Sequence, residues 1–275
     1  MLHNYFTVAF RKLLKHRDYA LLNVFGLGLS IGCAILIFIL IRYHSSFDTY
    51  HTNADRIARI VMDIKTDKLM PFSGIPTPMS KALREECAFV EKTAMRSAQY
   101  EALISVNNSN GGKDKYKEED KFAWIEPEYL GILDLPLLRG DLQALNEPNT
   151  VLIAEHLAHK YFGAAEPIGQ ILRWNNEVDL RIVGILRDLP KYTDYPHEIL
   201  GSWATLKTMP GVGADLVSWN GARGENYCFA LLQQGHQVNE LESVMAAFRK
   251  KYQHGRRNRA SASGNLQIHS QPYRA

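Results

Sequence analysis

YALLNVFGLGLSIGCAILIFILI, the stretch from Tyr19 to Ile41, contains no Asp, Glu, Lys or Arg. A bilayer core of roughly 30 Å takes about 20 apolar residues in a helix, so this run is long enough to cross it. Gly26, Gly28 and Gly32 weaken a helix in water; in lipid they are tolerated and let a neighbouring helix approach closely. The run exceeds the roughly 7–15 apolar residues of a cleaved signal. Ser30-Ile31-Gly32-Cys33 faintly matches a lipoprotein cleavage site, yet strongly apolar residues continue from Ala34 to Ile41. The reading is an uncleaved anchor in a lipid bilayer.

Charge sets the orientation. Arg11, Lys12, Lys15 and Arg17 precede the span and only Asp18 opposes them. Basic residues this close to a span favour the cytoplasmic side, which puts everything after Arg42 outside. Residues 1–42 hold five basic residues and one acidic, net +4; the whole chain is +3, so the outer part is −1. The positive total therefore gives no reason to expect nucleic acid as a partner. Leu2, Phe6, Phe10, Leu13 and Leu14 recur at helical spacing with the cations on the other side, as in an interfacial helix. Such a helix either sets topology or also docks a cytoplasmic partner. Of three cysteines, Cys33 lies in the span. Cys87 and Cys228 fit a bridge in an oxidising compartment or two free buried thiols.

Beyond the span, Tyr43 to Ile60 looks helical before Ile60–Ile64 alternates like a strand. Pro71, Gly74, Pro76 and Pro78 mark a loop, and Thr77 or Ser80 is placed to cap a helix through Met79 to Cys87. Val90–Val106 suggests one or two strands, and Asn107–Gly112 a hairpin tip leading into a strand that includes Phe122–Ile125. Tyr129–Leu133 reads as a helical turn, Asn149–Ala154 as a buried strand, and Glu155–Phe162 as a helix ended by Gly163. Ile171–Trp174 and Leu180–Ile185 pair across Asn175-Asn176. Pro190–Pro196 is a loop, Trp203–Met209 a helix and Tyr227–Leu232 a strand. Glu240–Tyr252 is a helix with Leu241, Val244, Met245 and Phe248 on one face. Short strands among a few helices make an α+β domain. The tail after Tyr252, with Arg256, Arg257 and Arg259, reads as a solvated linker or an anionic-lipid contact.

No phosphate-cradling G-x-x-x-x-G-K-[ST] and no G-x-S-x-G nucleophile turn is present, and Gly26-Leu27-Gly28 is helix-packing material. His156 and His159 stand at i, i+3 behind Glu155, but this is not the H-E-x-x-H spacing; a polar helix face explains them. Asp48, His51 and Asp55 line one face if helical, where solvation or capping accounts for them. Glu85-Glu86 and Glu118-Glu119-Asp120 read as solvated charge. No catalytic, cofactor-binding or metal-binding residue is assigned, and no cofactor is expected.

Phe47-Asp48-Thr49-Tyr50-His51-Thr52-Asn53-Ala54-Asp55-Arg56-Ile57-Ala58-Arg59-Ile60 resembles the segment after the first span of MacB/FtsX-type ABC-transporter permeases, in the form common in Bacteroidetes. Also similar are Leu138–Asp141, Glu147–Ile153, Ala158–Gly163, Glu166–Gly169, Ile182–Pro190, Ala9–His16 and Asn23–Leu27, so the resemblance covers roughly residues 4–200. In their own terms, Gly140 and Gly184 suit crowded or strained backbone. Tyr161, Phe162 and Ile168 suit a small apolar core at a helix end capped by Gly163, and Pro167 and Gly169 a turn.

The resemblance implies four parts. Residues 1–18 form a cytoplasmic basic amphipathic helix, 19–42 a transmembrane helix, 43–255 a MacB-like periplasmic core domain, and 256–275 a basic flexible tail leading toward further spans. It implies a non-enzymatic permease subunit of the bacterial inner membrane, paired with a cytoplasmic ABC ATPase and forming a homodimer or paired permease. Closure of the ATPase moves the outer domain for export or mechanotransmission. Family members carry spans after the outer domain, whereas this sequence stops at Ala275; a fragment or a truncated gene is the expectation. A signal-anchored binding or sensor domain without an ATPase is the competing reading, and an anchored hydrolase a third.

Overall fold

The computed structural model describes residues 5–272 apart from 6, 9–10, 13–14, 16, 45–47, 49–50, 66–68, 109–110, 191–192, 220–221 and 253–264. The chain divides into two units, Met1–Thr49 and Tyr50–Ala275. In the first, α1 (Arg17–His44) is a continuous helix of 28 residues. Among the described residues it alone is long and apolar enough to cross a membrane, with a mean hydropathy of 2.8 over its best window. Ser30 Oγ donates to Gly26 O at 2.8 Å, which absorbs that hydroxyl within the helix. Tyr5, Thr7, Val8, Arg11, Lys12 and Lys15 are helical and exposed; Leu2, Phe6, Phe10, Leu13 and Leu14 lie outside the described residues.

The second unit is one mixed sheet with a core on each face. The elements run β1 (Ile57–Lys65), β2 (Leu69–Phe72), α2 (Met79–Glu86), β3 (Val90–Asn107), β4 (Lys113–Ile125) and α3 (Glu128–Ile132). They continue as β5 (Leu137–Gly140), β6 (Thr150–Ala154), α4 (Glu155–Phe162), β7 (Ile171–Trp174) and β8 (Val178–Leu186). The last are β9 (Ile199–Ser202), α5 (Trp203–Thr208), β10 (Asn226–Leu232), α6 (Val238–Tyr252) and β11 (Asn265–Pro272). The strand order is β11-β1-β10-β3-β4-β9-β6-β8-β5, with β2 beside β1 and β7 bridging β3 and β8.

Alternation on β10 sorts the two faces, because successive side chains point to opposite sides. Cys228, Ala230 and Leu232 face the larger core, which takes in Met79 and Leu83 of α2, Leu157 and Tyr161 of α4, and Leu241, Met245 and Phe248 of α6. Phe229 and Leu231 face the smaller core with Tyr129, Leu130, Leu145 and Tyr195. Val244 packs only partly against the larger core.

Several expectations change. The helical reading of Tyr43–Ile60 fails. α1 stops at His44, Ala54–Arg56 is one 3-10 turn and β1 begins at Ile57, so Asp48, His51 and Asp55 share no helix face. Asn53 and Arg56 act locally instead: Arg56 donates to Asn53 Oδ1 at 2.7 Å and to Leu232 O at 2.7 Å, fastening the entrance of β1 to the end of β10. Neither Thr77 nor Ser80 caps α2; Pro78 precedes it with no side-chain cap. Within the tail at 256–275, expected to be flexible, β11 pairs with β1 from Ala58–Pro272 to Lys65–Asn265. Arg256, Arg257 and Arg259 lie outside the described residues. Cys87 and Cys228 are free and buried.

The two crowded glycines face each other. Gly140 has φ +105°, and a Cβ there would meet Val183 O at 2.3 Å; one at Gly184 would meet Arg139 O at 2.9 Å. β5 can lie against β8 only because neither carries a side chain. Gly140→Ala is expected to cost about 2 kcal/mol or more from backbone strain and the clash. Gly163→Ala, at φ +60° and ψ −119° but in open space, should cost less, about 1–2 kcal/mol of backbone strain without the clash. Chemical denaturation of both variants checks the order.

Candidate functional site

A connected run of polar contacts in the outer unit follows α4. Glu155–Phe162 forms a helix because Leu157, Ala158 and Tyr161 recur on one buried face, and Gly163 at φ +60° lets the chain leave it. At its start, Asp188 receives the His156 backbone N–H at 3.0 Å and its ring Nδ1–H at 2.9 Å. His156 Nε2 lies 3.4 Å from Glu198, which pairs with Lys121 at 3.1 Å. Lys121 reaches Glu118 at 3.9 Å. Glu118 in turn contacts Lys160 and accepts from Tyr161 Oη at 2.8 Å. The seam thus joins α4 to β4 and to the segment entering β9.

Glu118 corrects the reading of Glu118-Glu119-Asp120 as solvated charge. It is 3% exposed, on the core side of β4 beside Tyr116, and pairs across the strands with Ala102. The usable signal was the even-numbered series Tyr116, Glu118, Phe122 and Trp124, obscured by the charges around it. Burial, then the hydrogen bond to Glu118, raises the Tyr161 hydroxyl far above the usual tyrosine range, so it stays a neutral donor. Burial alone would raise the Asp188 carboxyl, but the two His156 hydrogen bonds outweigh it and hold it below the usual aspartate value.

The remaining candidates are dispersed. His159 Nδ1 turns to Gly163 O at 3.3 Å, so His156 and His159 go to different partners. His51 Nδ1–H donates to Leu133 O at 2.7 Å, and Thr52 N–H to Asp134 at 2.9 Å. Glu86 accepts from Lys251 at 2.8 Å and contacts the Tyr252 hydroxyl, tying α2 to the end of α6. Among the described residues no group of three or more His, Cys, Asp or Glu is placed to hold a metal. The seam fixes one element against another, and it contains no serine, threonine or cysteine.

An α+β domain with such a scaffold, following one apolar helix, defines a membrane-associated structural module. The chain belongs to the MacB-like periplasmic core domain family, whose model matches residues 20–248, a domain of ABC-transporter permease-type proteins. No curated protein matches the sequence. Among solved structures, the fold is similar to a domain of a putative permease protein from Porphyromonas gingivalis. That match has a TM-score of 0.68 and 21% identity over 81% of this chain and 91% of the other. The periplasmic region of MacB from Actinobacillus actinomycetemcomitans gives 0.52 and 12%, over 79% and 88%. The extracellular domain of the noncanonic ABC-type transporter YknZ from Gram-positive bacteria gives 0.50 and 12%, over 77% and 98%.

Two outcomes test the seam. Glu118→Ala should destabilise the outer unit by about 1–3 kcal/mol, because it strands the buried Tyr161 hydroxyl; denaturant titration measures it. A carboxyl with a lowered folded pKa stabilises the fold above its unfolded pKa of about 3.9 and loses that contribution as pH falls through the folded value. The stability gap between the native protein and Asp188→Asn should therefore be full at pH 5 and shrink toward pH 2.

Proposed function

We propose that this chain carries the first span and outer domain of an ABC-transporter permease subunit, coupling a cytoplasmic ATPase to movement of the outer domain for export or mechanotransmission. The observation that carries the reading is the family match across residues 20–248, running from within the apolar helix into the outer sheet. In this reading residues 1–18 lie in the cytoplasm, 19–42 cross the inner membrane, 43–255 form the periplasmic core and 256–275 lead away from it. The basic cluster Arg11, Lys12, Lys15 and Arg17 supports that orientation. Gly26, Gly28 and Gly32, with nothing near them in the single chain, are the close-packing points for a homodimer or paired permease. The polar seam supports a load-bearing scaffold and not an enzyme.

Affinity purification of the natively expressed, tagged protein in mild detergent tests the coupling. An ABC ATPase should co-purify; recovery of the protein without one would leave an anchored binding or sensor domain as the better account. Orientation has its own test. Tyr100 is 74% exposed, whereas Cys87 and Cys228 are buried, and burial, then Glu86, pushes the Cys87 thiol up to about 11. Tyr100→Cys in spheroplasts should react with a membrane-impermeant maleimide before lysis. Reaction only after lysis would reverse the topology.

A further inference from the structure

On the smaller-core face of the sheet, Arg96 of β3 stands directly across from Tyr227 of β10. The Arg96 side chain is buried, at 4% exposure, and its Nε–H has no hydrogen-bond partner. Its guanidinium carbon lies 4.2 Å from the Tyr227 ring centre and 5.2 Å from that of Tyr195. Aromatic faces attract a cation but accept none of its directional hydrogen bonds. Among the described residues no carboxylate pairs with Arg96, in contrast to Glu118, whose buried charge is answered.

A second orphan lies in the same place. His197, 6% exposed, has a buried Nδ1 without a partner. Burial, then the nearby Arg96 charge, keeps the imidazole neutral. Its backbone N–H donates to Tyr195 O at 2.8 Å, so one turn of the segment between β8 and β9 presents both the tyrosine and the histidine. A neutral imidazole can carry its proton on Nδ1 and donate from there.

We propose that Arg96 and His197 form a binding site for the carboxylate of a small organic monoanion, with Tyr195 and Tyr227 as its aromatic walls. One negative charge balances the one unpaired buried cation, and two oxygens match two orphan donors. The second guanidinium here, Arg59, lies 5.2 Å from the Tyr227 ring centre and is hydrogen-bonded to Tyr195, so a phosphate dianion would have to draw it from that partner and also carries the larger desolvation cost. The aromatic rings favour an apolar body behind the carboxylate. Nothing in this site depends on coupling to an ATPase, so it stands or falls separately from the transport reading.

The test is titration of the full chain in detergent with butyrate, against chloride and phosphate at matched ionic strength. Two readouts are followed: the melting temperature and the imidazole nitrogen resonances of His197. The expected result is a saturable rise of about 5–10 °C at a hundredfold excess over Kd, with a His197 Nδ1 shift that saturates at the same concentration. Neither should occur with chloride or phosphate, and Arg96→Met should remove both. An unmoved His197 resonance in the native protein would overturn the proposal and leave bridging water as the partner of the two orphan atoms. That readout decides the matter even if Arg96→Met does not fold. A response to phosphate equal to that of butyrate would overturn the carboxylate assignment.

Discussion

β3 has to pair with three strands at once, and the outer unit is arranged around that demand. Its 18 residues lie against β10 from Val90 to Ser97, against β4 from Arg96 to Asn107, and against β7 from Ile104 to Val106. A strand this long twists, and it cannot hold one register against all its neighbours without a break. The break falls at Gln99–Glu101, where the register with β4 shifts and Asp120 takes φ +54°. Met95 and Ser97 are odd-numbered and face the larger core before the break; Ala102, Ile104 and Val106 are even-numbered and face it afterwards. The shift throws Tyr100 into solvent. It also leaves Glu118 opposite Ala102, turned toward α4, and so dictates that Lys160 and Tyr161 answer its charge.

The two faces of the sheet treat buried charge differently. On the helical face Glu118 has an ammonium and a phenol, and the chain of pairs continues through Lys121, Glu198 and His156 to Asp188. Only Glu118 and Tyr161 are buried and the other members are partly exposed, which makes the seam a device for fixing relative position more than for adding net stability. On the opposite face Arg96 has rings and no anion. There the Arg96 Nε–H and His197 Nδ1 have no hydrogen-bond partner among the described residues.

Local chemistry made much of this fold legible. Thr150–Ala154 is fully buried and reads as a continuous apolar run; Gly163 ends α4 as a glycine at that position should. Asn175 and Asn176, at φ +49° and +58°, make the turn between β7 and β8 that their side chains favour. What escaped reading was set by distant partners. β9 is four buried residues without alternation. At Gly201 a Cβ would meet the Trp124 ring at 2.5 Å, a contact made by a strand far away in the sequence. β11 is polar in composition and becomes a strand only by pairing with β1, about two hundred positions earlier. The partners of Glu118 and Arg96 could not be read for the same reason: they come from β10, α4 and the segment before β9. Several family motifs were readable because they hold a local turn, glycine or helix end, as at Gly140, Gly163 and Gly169.

The central claim is that events at a cytoplasmic ATPase reach this outer sheet. Amide hydrogen exchange of the full-length protein, reconstituted in lipid with the ATPase that co-purifies with it, addresses that claim most directly. The nucleotide-free complex is compared with one trapped on a non-hydrolysable ATP analogue. The account predicts a nucleotide-dependent change in exchange in the outer unit, concentrated in β1, β11 and α6. Identical exchange throughout residues 50–272 in the two states, with the ATPase bound and nucleotide loaded, would contradict it.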